Sequence, residues 1–287
     1  MNWRSRVCYP ATTIAPNQTL ERQFTIYAGP KQEKLLTKVG RNTDAIMDFG
    51  FFSPISKIML RVMNVIHAGV APIIPERLGK YAMSLVLMTI LIKVVFWPLT
   101  QKSTRSMKKM QALAPEMKLI QAKYKDDPMK MNKKVMEFYR ENKVSPMSGC
   151  WPMMIQLPIF FALFRMIPNA IELRGTPFLW ACDLSKSDTI WMIPGLGFPL
   201  NPLPLVMGVT MLVQARMQPP SPGMDPAQQT MMKYMPLMFL VFLYNQPAGL
   251  TLYWTVQNLL TIVQTKLTKT KVEPAPSPVA PVPKKKK

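Results

Sequence analysis

The sequence predicts an all-α membrane protein with five transmembrane helices, a cytoplasmic helical hairpin and an interfacial amphipathic helix. Apolar residues make up 48% of the 287 residues and gather into long blocks, whereas a soluble domain interrupts such blocks every few residues. The chain has 36 Lys+Arg against 15 Asp+Glu, and the basic residues lie between the apolar blocks. Charged loops between apolar segments are typical of membrane proteins with several spans.

Composition also limits the function classes. A net charge of +21 would favour a nucleic-acid partner in a soluble protein, but no glycine-aromatic or finger-type reading motif accompanies it, so DNA is not an expected partner. Cys8, Cys150 and Cys182 are too few and too scattered for a disulfide framework or a zinc site. The only histidine is His67, which argues against His-based metal sites and Ser-His catalysis.

The N-terminal part contains no predicted span. Residues 1–45 are mixed and polar, with strand-like alternation from Arg22 to Tyr27. Apolar residues within 51–67 then recur at helical spacing, namely Ile55, Ile58, Met59, Val62 and Ile66. This pattern suits a helix lying flat in the membrane interface, and an amphipathic helix packed on protein explains it equally well.

The first two spans are predicted at 81–99 and 150–168. Residues 81–99 carry a single charge, Lys93, and end at Trp97-Pro98, an interfacial aromatic followed by a helix breaker. At about 1.5 Å per residue, this run covers the roughly 30 Å hydrocarbon core of a bilayer.

Three further spans are predicted at 202–216, 231–246 and 249–265. The start of the third is open, because part of the preceding apolar stretch could belong to it. The last two come from one apolar run that would reach about 50 Å as a single helix, far more than the core requires. Turn-forming residues at Asn245–Gly249 divide that run.

The connecting segments predict the orientation. Residues 100–148 hold 12 basic and 5 acidic residues and contain a predicted helical hairpin at 101–143 that turns at Asp126-Asp127-Pro128. The loop 169–201 has two basic and three acidic residues, and the tail 268–287 is proline-rich and ends in four lysines. Positive loops stay in the cytoplasm, so the hairpin and the C-terminus are expected inside.

Five spans then place the N-terminus outside. Its eighty or so residues have no export signal of their own, so we expect the sequence to be part of a longer protein whose precursor begins with another span.

Polar side chains inside the spans are the candidate functional residues, because a charge near the bilayer centre costs at least ~2.5 kcal/mol. Lys93 lies six residues before the end of its span, and Thr89 shares its helix face. Gln156 lies in the second span, and Gln257 and Asn258 lie in the last. Together they suggest one water-filled cavity. Snorkelling of Lys93 and packing hydrogen bonds by the amides are the alternatives.

The spans lack the residues of an enzyme. The sequence has no H-E-x-x-H, no paired intramembrane aspartates, no G-x-S-x-G and no glycine-rich phosphate loop, so neither catalysis nor a cofactor is expected. The predicted spans contain no acidic residue, which weakens a proton- or sodium-coupled transporter.

Several motifs, in this order, resemble the bacterial YidC insertase family, which has mitochondrial and chloroplast relatives. They are Phe24–Lys31, similar to the end of the family's periplasmic domain; Lys93–Thr100, similar to its first core helix; Pro146–Phe160, similar to the next span; and Asp225–Gln229 and Pro247–Asn258, similar to its last loop and helix. The resemblance implies five core helices around a hydrophilic groove, and it makes residues 1–45 the remnant of a periplasmic domain. The family's groove usually carries arginine; Lys93 keeps the charge but lacks the bidentate fork.

The resemblance also implies the roles of individual residues. The substrate groove would be lined by Lys93, Thr89, Gln156, Gln257, Asn258, Tyr253 and Trp254. Clients would be received by the hairpin through Met107, Met110, Met117 and Tyr124, although side chains in such a stripe more often hold the hairpin itself together. The ribosome would contact Lys284, Lys285, Lys286 and Lys287.

The implied function is insertion of nascent hydrophobic segments into the bacterial inner membrane without ATP hydrolysis. Its implied partners are nascent membrane proteins, the ribosome and membrane lipids, with the Sec translocon as a further candidate. Two rival functions stay open on the sequence: a small-solute channel or transporter, and a structural factor that assembles finished membrane subunits.

Overall fold

A computed structural model describes residues 7–23, 26–39, 46–125, 127–145, 151–195, 197–217 and 226–268. Its helices are α1 (Glu33–Val39), α2 (Ser53–Val70), α3 (Lys80–Val95), α4 (Trp97–Ala112), α5 (Ala114–Lys123), α6 (Pro128–Glu141), α7 (Trp151–Asn169), α8 (Pro202–Met217), α9 (Pro226–Leu243) and α10 (Ala248–Leu267). The fold is predominantly helical, and its strands in the described part are β1 (Trp191–Ile193) and β2 (Phe198–Leu200), paired antiparallel.

The amphipathic helix α2 has one face against protein and another exposed. Met59, Leu60 and Met63 are buried against α3 and α7, and the Ser56 hydroxyl donates to the Ala162 carbonyl oxygen at 2.9 Å. Ile58, which the sequence put on the same stripe as Met59, is exposed. The helix therefore packs on protein and also presents apolar side chains outward.

A short ion pair holds α1 to α2. The Arg61 guanidinium lies 2.6 Å from a carboxylate oxygen of Glu33, whose side chain is almost fully buried. Leu36 of the same helix is buried in the main apolar core. The predicted strand-like segment Arg22–Tyr27 is irregular where it is described, and Phe24 and Thr25 lie outside the described residues.

The first predicted span ends earlier than expected. Helix α3 stops at Val95, four residues before Leu99, and α4 continues from Trp97 at an angle of 65°. Pro98 explains the bend, because proline has no N–H to donate and its ring clashes with the carbonyl four residues earlier. The residue is instead favourable in the first turn of the new helix α4.

The hairpin predicted at 101–143 consists of α4 from residue 101 onward, together with α5 and α6. Helices α5 and α6 pack together, and the Asp127 carboxylate caps α6 by accepting from the Lys130 N–H at 3.0 Å. Its core is a separate apolar cluster of Met110, Leu113, Met117, Val135, Phe138, Tyr139 and Val144. Met110 of α4 and Met117 of α5 thus share one core across the break at Leu113 between the two helices.

The connection predicted as the loop 169–201 has structure of its own. It contains a 3-10 turn at Ile171–Leu173 and the β1–β2 hairpin, so the stretch before Pro202 does not extend α8. The loop covers the start of α10, because the Ala248 and Gly249 N–H groups donate to the carbonyls of Lys186 (2.6 Å) and Leu184 (2.9 Å). Two N–H groups that a helix start leaves without intrahelical partners are thereby satisfied.

The last two helices are offset from their predicted bounds. Helix α9 begins five residues before 231 and ends at Leu243, three before 246, and α10 runs two residues past 265. Of the described helices, α7 alone is long and apolar enough to cross a membrane by length and composition, and the bent α3–α4 pair also passes if it counts as one span. Helix α8 and the Tyr234–Leu243 part of α9 are apolar but shorter. The count of five spans thus stays a prediction.

Gly79 should be essential for the junction between α2 and α3. Its φ is +65°, and a Cβ built on it would lie 1.8 Å from the Pro177 carbonyl oxygen. We expect Gly79→Ala to lower the melting temperature in detergent, because the backbone strain alone costs roughly 1–3 kcal/mol.

Gly69→Ala is the matched control for this prediction. Gly69 lies inside α2 with no atom within 4 Å of a built Cβ, so alanine should stabilise the helix by about 0.5–1 kcal/mol. Equal melting temperatures for the two variants would show that the chain relaxes around Gly79.

Candidate functional site

A row of polar side chains follows one side of α10. Tyr253, Gln257, Thr261, Gln264 and Thr268 are spaced by three or four residues, which places them on one helix face. Helix α10 packs against α3, α7 and α8, and the row makes hydrogen bonds to side chains or backbone of α3, α4 and α7. We call these residues and their partners the polar seam.

Lys93 is the buried cation of the seam. Its side chain is buried with 4% of its surface exposed, and Nζ donates to the Thr261 hydroxyl oxygen at 2.8 Å. Thr261 in turn donates to the backbone carbonyl of Gln257 at 2.7 Å. Lys93 was predicted from the sequence and Thr261 was not, although the position of Thr261 four residues after Gln257 places both on one helix face.

Three predicted groove residues meet in the part of the seam that lies nearer than Lys93 to the start of α10. The Gln156 amide nitrogen donates to the Tyr253 hydroxyl at 2.5 Å, and the Gln257 amide nitrogen donates to the Gln156 oxygen at 3.1 Å. The Gln257 amide oxygen is buried without a hydrogen-bond partner among the described residues. An amide oxygen so placed can accept a hydrogen bond from water or from a polar group that enters the seam.

Asn258 and Thr89 have other neighbours. The Asn258 amide donates to the Thr210 hydroxyl of α8 at 3.1 Å, so it bonds to the helix on the other side of α10. One turn farther along α8, the Gln214 amide oxygen is also buried without a partner in the described part of the chain. Thr89 is fully buried, and its hydroxyl donates to the Leu85 carbonyl of its own helix at 2.7 Å.

Trp254 contributes to an aromatic cluster. Its ring stands edge-on to Phe160 at 5.0 Å and tilted against Phe239 at 5.5 Å, between centroids. Such rings add packing energy of about 0.5–1.5 kcal/mol per pair and leave the indole in an apolar setting. Trp254 therefore braces α10 against α7 and α9, next to the seam.

The far end of the seam joins α10 to the base of the hairpin. Gln264 donates to the Thr100 hydroxyl at 2.8 Å, and the Lys108 ammonium donates to the carbonyls of Thr265 (2.7 Å) and Thr268 (2.6 Å). A cation on the last carbonyls of a helix is favourable, because those carbonyls lack intrahelical donors and carry the negative end of the helix dipole. Lys108 was not predicted from the sequence, because nothing local distinguishes it from the other lysines of the hairpin.

Of the predicted client-receiving residues, some are buried in the hairpin core and others are partly exposed. Met110 and Met117 are almost fully buried in the hairpin core, whereas Met107 and Tyr124 are half-buried. The apolar side chains that the hairpin exposes are Leu119, Met129 and Met136. Lys284–Lys287, Cys150 and the start of the motif Pro146–Phe160 lie outside the described residues, as does Asp225.

The described residues contain no cluster of three His, Cys, Asp or Glu side chains suited to a metal ion. Cys8 and Cys182 are exposed free thiols, and the His67 ring is stacked on Tyr81 at 3.7 Å between centroids.

Comparison with known proteins identifies the family. The sequence model described as "60Kd inner membrane protein" matches residues 73–275, and the one described as "YidC periplasmic domain" matches residues 2–62. The chain belongs to the 60Kd inner membrane protein family. The resemblance read from the sequence motifs is thereby confirmed, and with it a membrane location.

Curated members of the family resemble the chain over most of its length. A protein of Pelobacter propionicus named "Membrane protein insertase YidC" is 41% identical over 91% of this chain and 46% of its own. A protein of the same name from Syntrophobacter fumaroxidans is 43% identical over 86% of this chain and 44% of its own. The chain thus spans about half the length of the curated relatives it matches.

A solved structure of the family shares the fold. It is described as "Active YidC insertase crystal structure with the first transmembrane domain resolved". The two agree with a TM-score of 0.53 at 22% sequence identity, over 80% of this chain and 50% of that chain.

The hydrogen bond between Lys93 and Thr261 should stabilise the packing of α3 against α10. Thr261→Val keeps the side-chain shape but removes the oxygen that accepts from the Lys93 ammonium, so we expect the unfolding free energy to fall by about 1–3 kcal/mol. Thr255→Val is the matched control, because the buried Thr255 hydroxyl donates only to its own helix at Thr251, 2.7 Å away.

Reversible unfolding in detergent of Thr261→Val, Lys93→Met and the double variant would measure the coupling. Strictly additive losses would show that the two side chains contribute independently.

Proposed function

We propose that this chain is a membrane protein insertase that moves hydrophobic segments of nascent proteins from the cytoplasm into the bilayer. One observation carries the proposal: Lys93, a buried cation, bonds to a polar seam inside an apolar helix bundle. The helices α3, α7, α8, α9 and α10 contain no Asp or Glu, so their own side chains offer this ammonium no carboxylate. The names of the family's curated members support the same activity.

In this proposal, α3, α7, α8, α9 and α10 span the bacterial inner membrane. The charge difference between the connecting segments supports an N-terminus outside and a hairpin and C-terminal tail in the cytoplasm. Helix α2 then lies in the outer interface, where its exposed Ile58 and Val65 contact lipid. The loop that covers the start of α10 closes the bundle on the outer side.

The mechanism follows from the partners of Lys93. An acidic or polar tail of a client enters the seam from the cytoplasm, and its carboxylate replaces the Thr261 hydroxyl as the acceptor of the Lys93 ammonium. Both bonds have the ionised ammonium as donor, but the carboxylate adds the attraction between opposite charges, which is strong in a poorly screened site, so the exchange is favourable. The amides of Gln156 and Gln257, and of Asn258 on its own side of α10, offer further partners to client backbone that has left water.

Release of the client needs no ATP. The apolar segment slides sideways into lipid, where burial contributes ~25 cal/mol for each Å² of apolar surface removed from water. Its polar tail then loses the contact to Lys93 and passes to the outer side. The protein thus lowers the barrier to insertion, and burial of the client's apolar segment in lipid supplies the free energy.

The hairpin would contact the client, and the tail the ribosome, before the client reaches the seam. The exposed Leu119, Met129 and Met136 offer adaptable apolar contacts among the hairpin's basic side chains. The four terminal lysines would contact ribosomal RNA through its phosphates. Cooperation with the Sec translocon is compatible with this arrangement.

Reversal of the seam charge should impair insertion of clients with acidic tails. We expect Lys93→Glu to reduce their insertion into proteoliposomes at least tenfold, because like charges repel strongly in a poorly screened site. Lys93→Arg keeps the cation and should retain activity. Lys102→Glu, an exposed change at the base of the hairpin, controls for net charge.

Protease protection of a short single-span client is the readout. Full insertion by Lys93→Glu would remove Lys93 from the mechanism. Binding of finished subunits without insertion of the naked client by the parent protein would favour an assembly factor instead.

Removal of Glu273–Lys287 should weaken ribosome binding and leave the thermal stability of the membrane part unchanged. Phosphate contacts by lysines weaken steeply with salt, so truncated and full-length proteins should differ at low salt and converge as salt rises. Ribosome co-sedimentation across a salt series measures this. Post-translational insertion of a short client is the control, and equal ribosome binding at low salt would contradict a role for the tail.

A further inference from the structure

An apolar patch is exposed on the loop between α7 and α8. It consists of Leu179, Trp180, Ile190, Trp191, Met192 and Phe198, and we call it the outer patch. Residues 189–201, which supply most of it, contain no charged side chain. The exposed fraction of Trp191 is 61%, unusually high for a tryptophan.

The outer patch is held in a fixed geometry. Strands β1 and β2 pair with Trp191 opposite Leu200, and the Phe198 ring stacks on Tyr244 at 5.0 Å between centroids. The Tyr244 hydroxyl donates to the Pro199 carbonyl at 2.7 Å. The buried Asn201 also donates to the Tyr244 carbonyl at 2.9 Å. These contacts attach the β-hairpin to the end of α9, so the apolar surface of the hairpin is held in a fixed position.

Strand β2 of the outer patch leads directly into α8, which also exposes apolar side chains. Helix α8 follows β2 after a single residue and exposes Leu205, Val206 and Val209. Its 16 residues rise about 24 Å, less than the roughly 30 Å of a bilayer core. The apolar part of α9, Tyr234–Leu243, is shorter still. Apolar surface added at the outer end of this helix pair offsets the shortfall.

We propose that the outer patch binds the outer leaflet of the membrane, with Trp191 at the boundary between lipid headgroups and acyl chains. This rests on the proposed function, since it requires α8 and α9 to span the bilayer. Tryptophan and tyrosine favour that boundary because their rings are apolar and their N–H or O–H can reach polar groups. A two-stranded ribbon cannot sink deeper, because each strand has an unpaired edge whose backbone groups need headgroups or water.

Nitroxide labels tested for access to oxygen and to a water-soluble nickel chelate would measure the depth of the patch in proteoliposomes. Labels go on Trp191→Cys, on Ser187→Cys as the matched control in the same loop, and on Val209→Cys as a marker in α8. Cys8, Cys150 and Cys182 are first replaced by serine. We expect the label at position 191 to meet oxygen more often than the label at 187, and the nickel chelate several-fold less often.

Each other outcome overturns the inference in a distinguishable way. Suppose that the labels at 191 and 187 meet nickel equally often while the label at 209 meets oxygen often. The patch would then lie in water, and the membrane-spanning arrangement of α8 would still hold. Shielding of 191 from both reagents would mean that protein, such as a second copy of the chain, covers the patch. A label at 209 that meets nickel freely would refute the membrane-spanning arrangement itself.

Discussion

The hydrogen bond from Lys93 to Thr261 joins α3 to α10, and the rest of the bundle depends on how α10 satisfies polar groups on its faces. A buried ammonium is stable only if nearby oxygens replace its water, and here Thr261 supplies one of them. The same helix also satisfies the amide of Gln156 through Tyr253 and itself bonds, through Asn258, to Thr210. α10 therefore joins α3, α7 and α8 by hydrogen bonds as well as by packing.

The two ends of α10 are held by different kinds of contact. At its start, the backbone carbonyls of Leu184 and Lys186 lie within hydrogen-bond distance, and a Cβ on Gly249 would approach both Ile167 Cγ2 and the Leu184 oxygen at 3.1 Å. At its end, the flexible side chain of Lys108 holds the last carbonyls. The close backbone contacts at the start of α10 resist separation of the helix from the loop, whereas the Lys108 side chain can rotate away from the carbonyls at the end of the helix. This asymmetry is compatible with the proposal that clients enter from the hairpin side.

The hairpin illustrates why an apolar stripe does not identify a binding surface. Met110 and Met117 satisfy the spacing of a client-binding face, yet both lie in the hairpin core with Val135 and Phe138. The side chains left outside, such as Met129 and Met136, follow no long stripe. Periodicity reports that a face is apolar, and the neighbouring helix decides whether that face is covered.

Sequence patterns were enough to predict the helical class, the family, the approximate extent of α7, α8 and α10, and Lys93 as a charge within an apolar helix. These follow from local properties: apolar runs, turn formers, charge placement and motifs. The side-chain pairings depend on how the helices pack: Gln156 bonds to Tyr253 and Gln257, Asn258 bonds to Thr210 of α8, and Thr261 and Lys108 complete the seam. Such pairings join residues from 48 to 168 positions apart, and helix rotation and packing set them. No local pattern encodes which of several polar faces will meet.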